Sequence, residues 1–266
     1  MKQKRLNNSP IVYYINGNKN KEWVLFLHAA FVDHNMFRSQ TDYFSDKYNI
    51  LYVDIIGHGK SIDTQKGDSI DKMAIWIFEI LKKENIGKIH IAGISLGAVL
   101  AQDFANRFPS AVKSLACFGG YDINNFDRSL QKRNGKAQML MMLKAVFSIK
   151  RFAKSNKKIS AYSPQAQQDF YNMNIQFRKK SFMYFASLNG MINVHQTPQR
   201  NYPLLIGCGE HDDPMAQEAV RQWQEHEPDC QTIIFDNAGH CVNMDVPQEF
   251  NMTVEKFWVN ASKNKG

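Results

Sequence analysis

Cysteine is scarce in this chain, and the few that occur are not arranged as a metal or redox site. The 266 residues include four cysteines, and none of them forms a Cys-x-x-Cys pair. The sequence therefore predicts no metal centre, and we interpret the cysteines as reduced thiols of a cytosolic protein. They are Cys117, Cys208, Cys230 and Cys241.

Long apolar runs are also missing. No run approaches the ~20 residues that a membrane-spanning helix needs, and no apolar signal core follows the basic N-terminus. Internal repeats and low-complexity linkers are absent from the sequence as well. We expect a cytoplasmic protein without a transmembrane segment, with one large α/β domain that has a full core.

Acidic residues are few in one central segment. Between Tyr121 and His195 there are 13 Lys or Arg against 3 Asp, whereas the rest of the chain has 20 against 22 acidic residues. The segment therefore has a net charge of +10 and the rest of the chain −2, which together give the net charge of +8. It is either a solvated helical surface or a feature that attracts an anionic substrate or surface. Nucleic acid is not an expected partner, because no recognition motif accompanies the charge.

Apolar strand-like runs alternate with helical patterns on both sides of that segment. Such alternation predicts a mostly parallel sheet with helices on both faces. Residues 121–197 lack a strand pattern, so we predict a core domain formed by 1–120 and 198–266 and a helical insertion formed by 121–197. The predicted strands are 11–15, 23–27, 50–53, 89–92, 114–118, 203–207 and 232–235. The predicted helices include 68–83, 139–147, 169–188, 215–227 and 247–259.

The most informative motif is Gly93-Ile94-Ser95-Leu96-Gly97, which fits Gly-x-Ser-x-Gly. By itself it is weak evidence, since an ordinary glycine-rich turn has the same pattern. Its position between a predicted strand and a predicted helix favours a nucleophile elbow, in which the Ser95 hydroxyl projects above the sheet edge. A Cβ at either glycine would collide with the neighbouring strand and helix. The Leu96 N–H would lie at a helix N-terminus, where it can stabilise an oxyanion.

A serine nucleophile needs a base, and the base needs an acid that orients it. In this topology the acid and then the histidine follow the serine along the chain. His240, with a glycine before it, comes just after strand 232–235 and is the predicted base. Asp212 is the predicted acid, although Asp213 and Glu210 lie in the same turn. Asp213 precedes a proline and also suits a helix N-cap.

Two further loops follow predicted strands. Residues 28–31 form a small-residue turn that can aim the Ala30 N–H at the space above the serine, so Ala30 and Leu96 are the predicted oxyanion donors. The histidine of this turn is expected to brace the loop. Residues 54–61 are expected to be structural, with Asp54 binding nearby backbone groups.

Together these pieces make the chain resemble the α/β-hydrolase superfamily, most closely its small bacterial carboxylesterases and enol-lactonases. The order of the pieces is far more specific than any one of them. They are His28-Ala29-Ala30, Asp54 to Ser61, Gly93 to Gly97, Gly209-Glu210-His211-Asp212 and Gly239-His240. The resemblance implies an eight-stranded, mostly parallel sheet and a helical cap at 121–197. Ala29 and Ala98 replace two glycines that are usual in the family, a small-for-small exchange.

The resemblance implies hydrolysis of a carboxylic ester through a Ser-His-Asp triad and an acyl-enzyme, without a cofactor. The expected partner is a small-molecule ester, with an anionic ester as one option; the oligomeric state is not predicted. Candidate pocket residues for an apolar acyl or aryl group are Phe31, Met142, Phe147 and Phe182. Thioesterases, lactonases and C–C bond hydrolases use the same triad. A small-molecule sensor with slow or no turnover is the alternative from another class.

Overall fold

A single twisted sheet organises the molecule. The computed structural model describes residues 1–17, 20–127, 147–195 and 200–263. Its eight strands are in the order β1-β2-β4-β3-β5-β6-β7-β8, and every pair from β4 to β8 is parallel. The strands are β1 (Lys2–Arg5), β2 (Val12–Asn16), β3 (Trp23–Leu27), β4 (Asn49–Val53), β5 (Ile89–Ile94), β6 (Val112–Phe118), β7 (Leu204–Gly209) and β8 (Gln231–Phe235). The predicted fold class is therefore confirmed.

Helices cover both faces of this sheet. The α-helices are α1 (Arg38–Phe44), α2 (Met73–Lys83), α3 (Leu96–Arg107), α4 (Ile149–Ser160), α5 (Pro164–Asn174), α6 (Pro214–His226), α7 (Val242–Asp245) and α8 (Pro247–Lys263). The 3-10 segments are His34–Phe37, Ile70–Lys72, Pro109–Ala111 and Lys179–Met191. Within the described ranges, none of the helices has both the length and the apolar character needed to cross a lipid bilayer.

The sheet separates two apolar cores. Leu25 and Leu27 of β3 pack into the core that contains α2 and α3, whereas Val24 and Phe26 pack into the one that contains α8. Successive side chains of a strand point to opposite faces, so a strand that is buried on both faces must be apolar throughout. This is the physical reason why the central strands appear as continuous apolar runs in the sequence.

A helical insertion separates β6 from β7. We call its described residues, 121–127 and 147–195, the insertion; no strand occurs among them. The helix predicted at 169–188 is divided, because α5 ends at Asn174 and the 3-10 segment Lys179–Met191 follows. α5 also begins earlier than predicted, since Ser163 caps it and a proline occupies its first turn. The helix predicted at 139–147 lies outside the described residues, except for its last residue.

The two ends of the insertion are bonded to each other. The Asn193 side chain accepts a hydrogen bond from Phe126 N at 2.8 Å and donates one to Phe126 O at 3.1 Å. The Asn193 main-chain N–H also donates to Ile123 O at 2.6 Å. The chain therefore leaves the sheet and returns to it at one place.

The turns after β7 and β8 approach each other backbone to backbone. A Cβ on Gly209 would lie 2.1 Å from Ala238 O and 2.3 Å from Gly239 O. His211 N also donates to Ala238 O at 2.8 Å. Because main-chain atoms cannot move aside as the end of a side chain can, only glycine fits at position 209.

A buried serine and histidine and a half-exposed glutamate connect three strands at the other end of the sheet. His90 Nδ1 lies 2.7 Å from Ser114 Oγ, and His90 Nε2 lies 3.2 Å from Glu22 Oε2. His90 and Ser114 are completely buried. These three have the residue types of a catalytic triad, but a substrate has no access to the buried serine and histidine. They stabilise the beginning of β3 against β5 and β6.

Substitution of Gly209 tests the close approach of the two turns. We expect Gly209→Ala to lower the melting temperature by roughly 5–10 °C, since the added methyl group forces the turns apart. Gly87→Ala is the matched control, because a Cβ there meets nothing within 4 Å. Differential scanning calorimetry compares the two variants with the wild type. Equal melting temperatures for both variants would contradict the rigid approach.

Substitution of Glu22 tests the buried polar connection. Burial alone raises the pKa of Glu22, but hydrogen bonds from Lys113, His90 and Ser262 lower it to about 2. A carboxylate whose pKa is lower in the folded than in the unfolded protein stabilises the folded state. Its contribution is complete at pH values above the unfolded pKa, which is near 4.5. That contribution is lost as the pH falls toward the folded pKa.

We therefore expect Glu22→Gln to lower the free energy of unfolding by roughly 1 kcal/mol at pH 7, because a half-exposed carboxylate is screened by water. The difference from the wild type should shrink as the pH falls from 4.5 toward 3. Urea titrations at pH 7, 4.5 and 3 measure it. A difference that stays constant with pH would show that the Glu22 charge is not responsible.

Candidate active site

Ser95 lies at the carboxyl end of β5, in a backbone conformation that few side chains adopt. Its φ is +54° and its ψ is −113°, and α3 begins at the next residue. The conformation is held on both sides, because Ser95 N donates to Phe118 O at 2.8 Å and Ser95 O accepts from Ala98 N at 2.9 Å. A non-glycine residue in such a region is strained unless its surroundings fix it. This is the strand-turn-helix context that the sequence predicts.

The two glycines of the motif are required by main-chain collisions. A Cβ on Gly93 would lie 2.4 Å from Gly97 O, and a Cβ on Gly97 would lie 2.0 Å from Leu27 O. The alanine at position 98 is accommodated differently. A Cβ on Gly120 would lie 2.8 Å from the Ala98 methyl group, so Gly120 leaves the space that this methyl group uses.

His240 and Asp212 form a close pair. His240 Nδ1 lies 3.0 Å from both carboxylate oxygens of Asp212. The Asp212 side chain is 2% exposed and the His240 side chain 27%, so the ring remains open to a small molecule. Asp213 is engaged elsewhere, since it is the N-cap of α6 and accepts from Met215 N at 2.9 Å. A proton on Nδ1 that is held by Asp212 leaves Nε2 of the neutral ring free to act as a base.

The surroundings of His240 favour its protonated form. Burial alone lowers the pKa of His240, but the negative charge of Asp212 and the hydrogen bond to it raise the pKa. The charge of Asp213 adds to this effect, and the net result is a pKa above the usual value. An imidazolium that forms here during a reaction is therefore stabilised.

Of two glycines just after β6, one lies near the histidine side chain and the other near the main chain of the serine. Gly119 has a φ of +59°, and a Cβ there would lie 3.1 Å from Nδ1 and Cε1 of His240. A Cβ on Gly120 would lie 4.0 Å from Ser95 O. Sequence reasoning missed both residues. The available signal was a Gly-Gly pair directly after a predicted strand.

The predicted oxyanion donors come from two different elements. Leu96 is the first residue of α3, so its N–H has no partner within the helix. Ala30 lies in the turn after β3, and the residue that follows it, Phe31, has a φ of +70°. The structure thus places Leu96 directly after the elbow serine and Ala30 in a sharply turned loop.

His28 braces that loop, as the sequence predicts. Its Nδ1–H donates to Ala29 O at 2.8 Å, and its Nε2 accepts from Ile55 N at 2.9 Å. Burial lowers the pKa of His28, so the ring stays neutral and can do both. Ala29 has a negative φ, so its methyl group causes no backbone strain.

The loop after β4 is held together by one buried carboxylate. Asp54 accepts from Lys60 N at 2.8 Å, and its other oxygen lies 2.9 Å from His34 Nδ1. A Cβ on Gly59 would lie 2.2 Å from that carboxylate, and Gly59 has a φ of +51°. The structural role expected for Asp54 agrees with these contacts.

Aromatic side chains of the insertion surround Phe31. Its ring centroid lies 4.9–5.5 Å from four other phenylalanine rings, which we call with it the Phe31 cluster. The four are Phe152, Phe177, Phe182 and Phe185. Of the four candidate pocket residues, Phe31 and Phe182 are therefore brought together. Phe147 is not, since its side chain is 78% exposed, and Met142 lies outside the described residues.

Metal ligands are not grouped near these residues. Across the part of the chain that the structure describes, there is no group of three or more His, Cys, Asp or Glu side chains that could hold a metal ion.

Comparisons with known proteins agree with this architecture. The (E)-2-((N-methylformamido)methylene)succinate hydrolase of Acinetobacter baylyi is 22% identical over 94% of this chain and 95% of its own length. A Bacillus subtilis protein named uncharacterized carboxylesterase nap is 24% identical over 88% of this chain and 78% of its own length. The crystal structure of the enol-lactonase from Burkholderia xenovorans has a TM-score of 0.76 at 16% identity, covering 97% of this chain and all of that one.

The predicted likeness to carboxylesterases and enol-lactonases is thus confirmed, and the relatives support a hydrolase activity. Residues 22–247 match the sequence profile of the alpha/beta hydrolase fold. With a match over most of its length, the chain belongs to the α/β-hydrolase fold family.

Proposed function

We propose that this protein is a serine hydrolase that cleaves carboxylic esters, with Ser95 as nucleophile, His240 as base and Asp212 as the orienting acid. The proposal rests on the 3.0 Å contact of His240 Nδ1 with Asp212 and on the strained elbow conformation of Ser95. A histidine oriented in this way is what a serine hydroxyl needs in order to become a nucleophile.

The proposed reaction has two stages. Nε2 of His240 takes the Ser95 proton while Oγ attacks the ester carbonyl, and the oxyanion is bound by the N–H groups of Ala30 and Leu96. The alkoxide leaves with the proton from His240, and an acyl-enzyme remains. Water then attacks the acyl group through the same base, which releases the acid and restores the serine. No cofactor takes part in these steps.

The Phe31 cluster supports an apolar acyl or aryl group in the substrate. Phe31 directly follows Ala30, so the cluster lies beside the proposed oxyanion donor. The insertion would act as a cap that places these rings over the site.

The positive charge of the insertion supports long-range electrostatic attraction of anionic esters. Residues 147–195 contain eight Lys or Arg and one Asp, and Lys150, Arg151, Lys154 and Lys158 are exposed. Cations on an outer surface steer an anionic substrate without contacting it. A carboxylate-bearing ester should therefore lose more of its kcat/KM at high salt than a neutral ester does.

Related bonds remain second candidates for the same residues. The names of two relatives, a succinate-derivative hydrolase and an enol-lactonase, favour lactones and carboxylate-bearing substrates as alternatives to a simple ester. A sensor with slow or no turnover would acylate once and then stall. Pre-steady-state kinetics distinguishes a hydrolase from such a sensor, because a hydrolase continues to turn over after the first acylation.

Substitution of the nucleophile is the direct test. We expect Ser95→Ala to lower kcat by about 10³–10⁶ on p-nitrophenyl esters, because the nucleophile is lost and only binding and the oxyanion donors remain. The acyl length of the best substrate then indicates the size of the acyl pocket. Ser114→Ala is the control, since Ser114 belongs to the buried polar connection at the other end of the sheet. Full activity in Ser95→Ala, or no activity in folded wild type across esters and lactones, would contradict the proposal.

The pH dependence tests the role of the histidine. His240 must be neutral to act as a base, so kcat/KM should rise with pH and have its midpoint above 6.5, the ordinary histidine value. Asp212→Asn removes the main cause of the raised pKa, so the midpoint should fall and kcat should drop by about 10⁴.

Asp213→Asn is the matched control for that experiment. Asparagine still caps α6, and only the weaker charge contribution to His240 is lost. We expect a small fall in the midpoint with kcat largely retained. Equal effects of the two substitutions would contradict the assignment of Asp212 as the orienting acid.

A further inference from the structure

We propose that α4, the turn 161–163 and α5 of the insertion form a bracket. The bracket holds the oxyanion loop (residues 28–31) and the His240 loop (residues 236–241) at a fixed separation. Asp245 is the positioning residue at the histidine end of this bracket. The inference rests on the proposed function, because it concerns the placement of the proposed base and of an oxyanion donor.

Asp245 binds the insertion and the histidine loop with the same carboxylate. Oδ1 accepts from Ser163 N at 2.8 Å, and both oxygens accept from Tyr162 N at 3.0 and 2.9 Å. Oδ2 also accepts from Gly239 N at 2.9 Å. Gly239 directly precedes His240, and the other two donors form the turn between α4 and α5. Hydrogen bonds to a charged acceptor are stronger than neutral ones.

The insertion contacts the chain on the other side of His240 as well. Cys241 N donates to Ser160 O, the last residue of α4, at 2.8 Å. A Cβ on Gly239 would lie 3.0 Å from Tyr162 N, so a glycine is what allows the turn to come this near. Both neighbours of His240 are therefore fixed to the insertion, and a shift of the insertion shifts the ring.

The turn also touches the loop of the acid. The Tyr162 ring stacks on the His211 ring with centroids 3.9 Å apart and planes 9° apart. His211 directly precedes Asp212. The insertion thus contacts both loops that form the His240–Asp212 pair.

Two buried asparagines continue the bracket to the oxyanion loop. Asn156 Nδ2 of α4 donates to Asn174 Oδ1 of α5 at 3.1 Å, and Asn174 Nδ2 donates to Phe31 O at 3.4 Å. Ser160 Oγ donates to Asn156 Oδ1 at 3.4 Å, which joins this chain of bonds to the residue that binds Cys241. Buried amides are costly unless they are bonded, so such a chain favours one arrangement of its parts.

Within the described ranges, Asp245 shows no second structural role. In the described ranges it forms no ion pair, and its acceptor capacity is used by three main-chain donors from two separate parts of the fold. A carboxylate with these partners acts through geometry, since a misplacement of about 1 Å in a catalytic group can cost about 10²-fold in rate.

Removal of the carboxylate tests the bracket. We expect Asp245→Ala to lower kcat on the best ester by about 10- to 100-fold with a smaller change in KM. The pH midpoint of kcat/KM should also fall toward 6.5, because a loosened His240 loses contact with Asp212. Hydrogen exchange should become faster at the amides of Tyr162, Ser163 and Gly239.

Asp68→Ala is the matched control. Asp68 also accepts from a main-chain amide, Gln65 N at 2.8 Å, but in an exposed loop of the core. It should keep the wild-type kcat and pH midpoint. Suppose that Asp245→Ala also keeps the wild-type kcat and pH midpoint, while the amides of Tyr162, Ser163 and Gly239 exchange faster. The carboxylate then only packs the insertion, and the proposal is overturned.

Two further measurements keep the test decisive. If Asp245→Ala fails to fold, Asp245→Asn keeps the shape and one acceptor oxygen, and an undiminished kcat there overturns the proposal. If the wild type has no Ser95-dependent hydrolysis, the proposed function fails by itself. The bracket is then judged by NMR titration of the His240 ring, whose pKa should fall in Asp245→Asn; an unchanged pKa overturns it.

Discussion

The approach of main chain to main chain at the elbow is the constraint on which the rest of the site depends. Gly97 lies so close to Leu27 O that no side chain fits, and Ser95 N is bonded to Phe118 O of the next strand. The serine is thereby fixed to β3, β5 and β6 at once. Because these strands are buried on both faces, the strain at Ser95 is opposed by the packing of two apolar cores. In the proposed site, the loops that carry Ala30 and His240 would need only short turns to reach it.

Much of this could be predicted from the sequence, for reasons that are visible in the structure. The central strands are buried on both faces, so their apolar runs are continuous and their positions were predicted to within about two residues at most ends. The N-cap role of Asp213 could be inferred because a proline follows it. β1 was missed because its four residues, Lys2–Arg5, are mostly exposed and charged. Asp245 and Asn174 were missed because each is a single polar residue whose partners are distant in sequence.

The described residues include a serine, histidine and acid besides the proposed Ser95, His240 and Asp212, and the exposure of the two histidines distinguishes the groups. Ser114 and His90 are buried between strands, where they stabilise the sheet, whereas His240 is partly open and follows the carboxyl end of a strand. In parallel sheets the loops at the carboxyl ends converge, so this edge gathers polar groups without placing them inside a core. Residue types alone do not separate the two sets. The two groups are distinguished by their position relative to the carboxyl ends of the strands, and this position can be estimated from the sequence.

Because Asn193 pairs with Phe126, the insertion begins and ends at the same place on the sheet. Its ends meet, so a longer, shorter or unrelated segment could be grafted there without changing any strand register. Substrate preference can therefore diverge between related enzymes while the sheet is inherited unchanged. The exchange is not unlimited, since any replacement would have to offer main-chain donors where Asp245 now finds them. Evolution of specificity in this architecture is then confined to segments that contain a suitable turn.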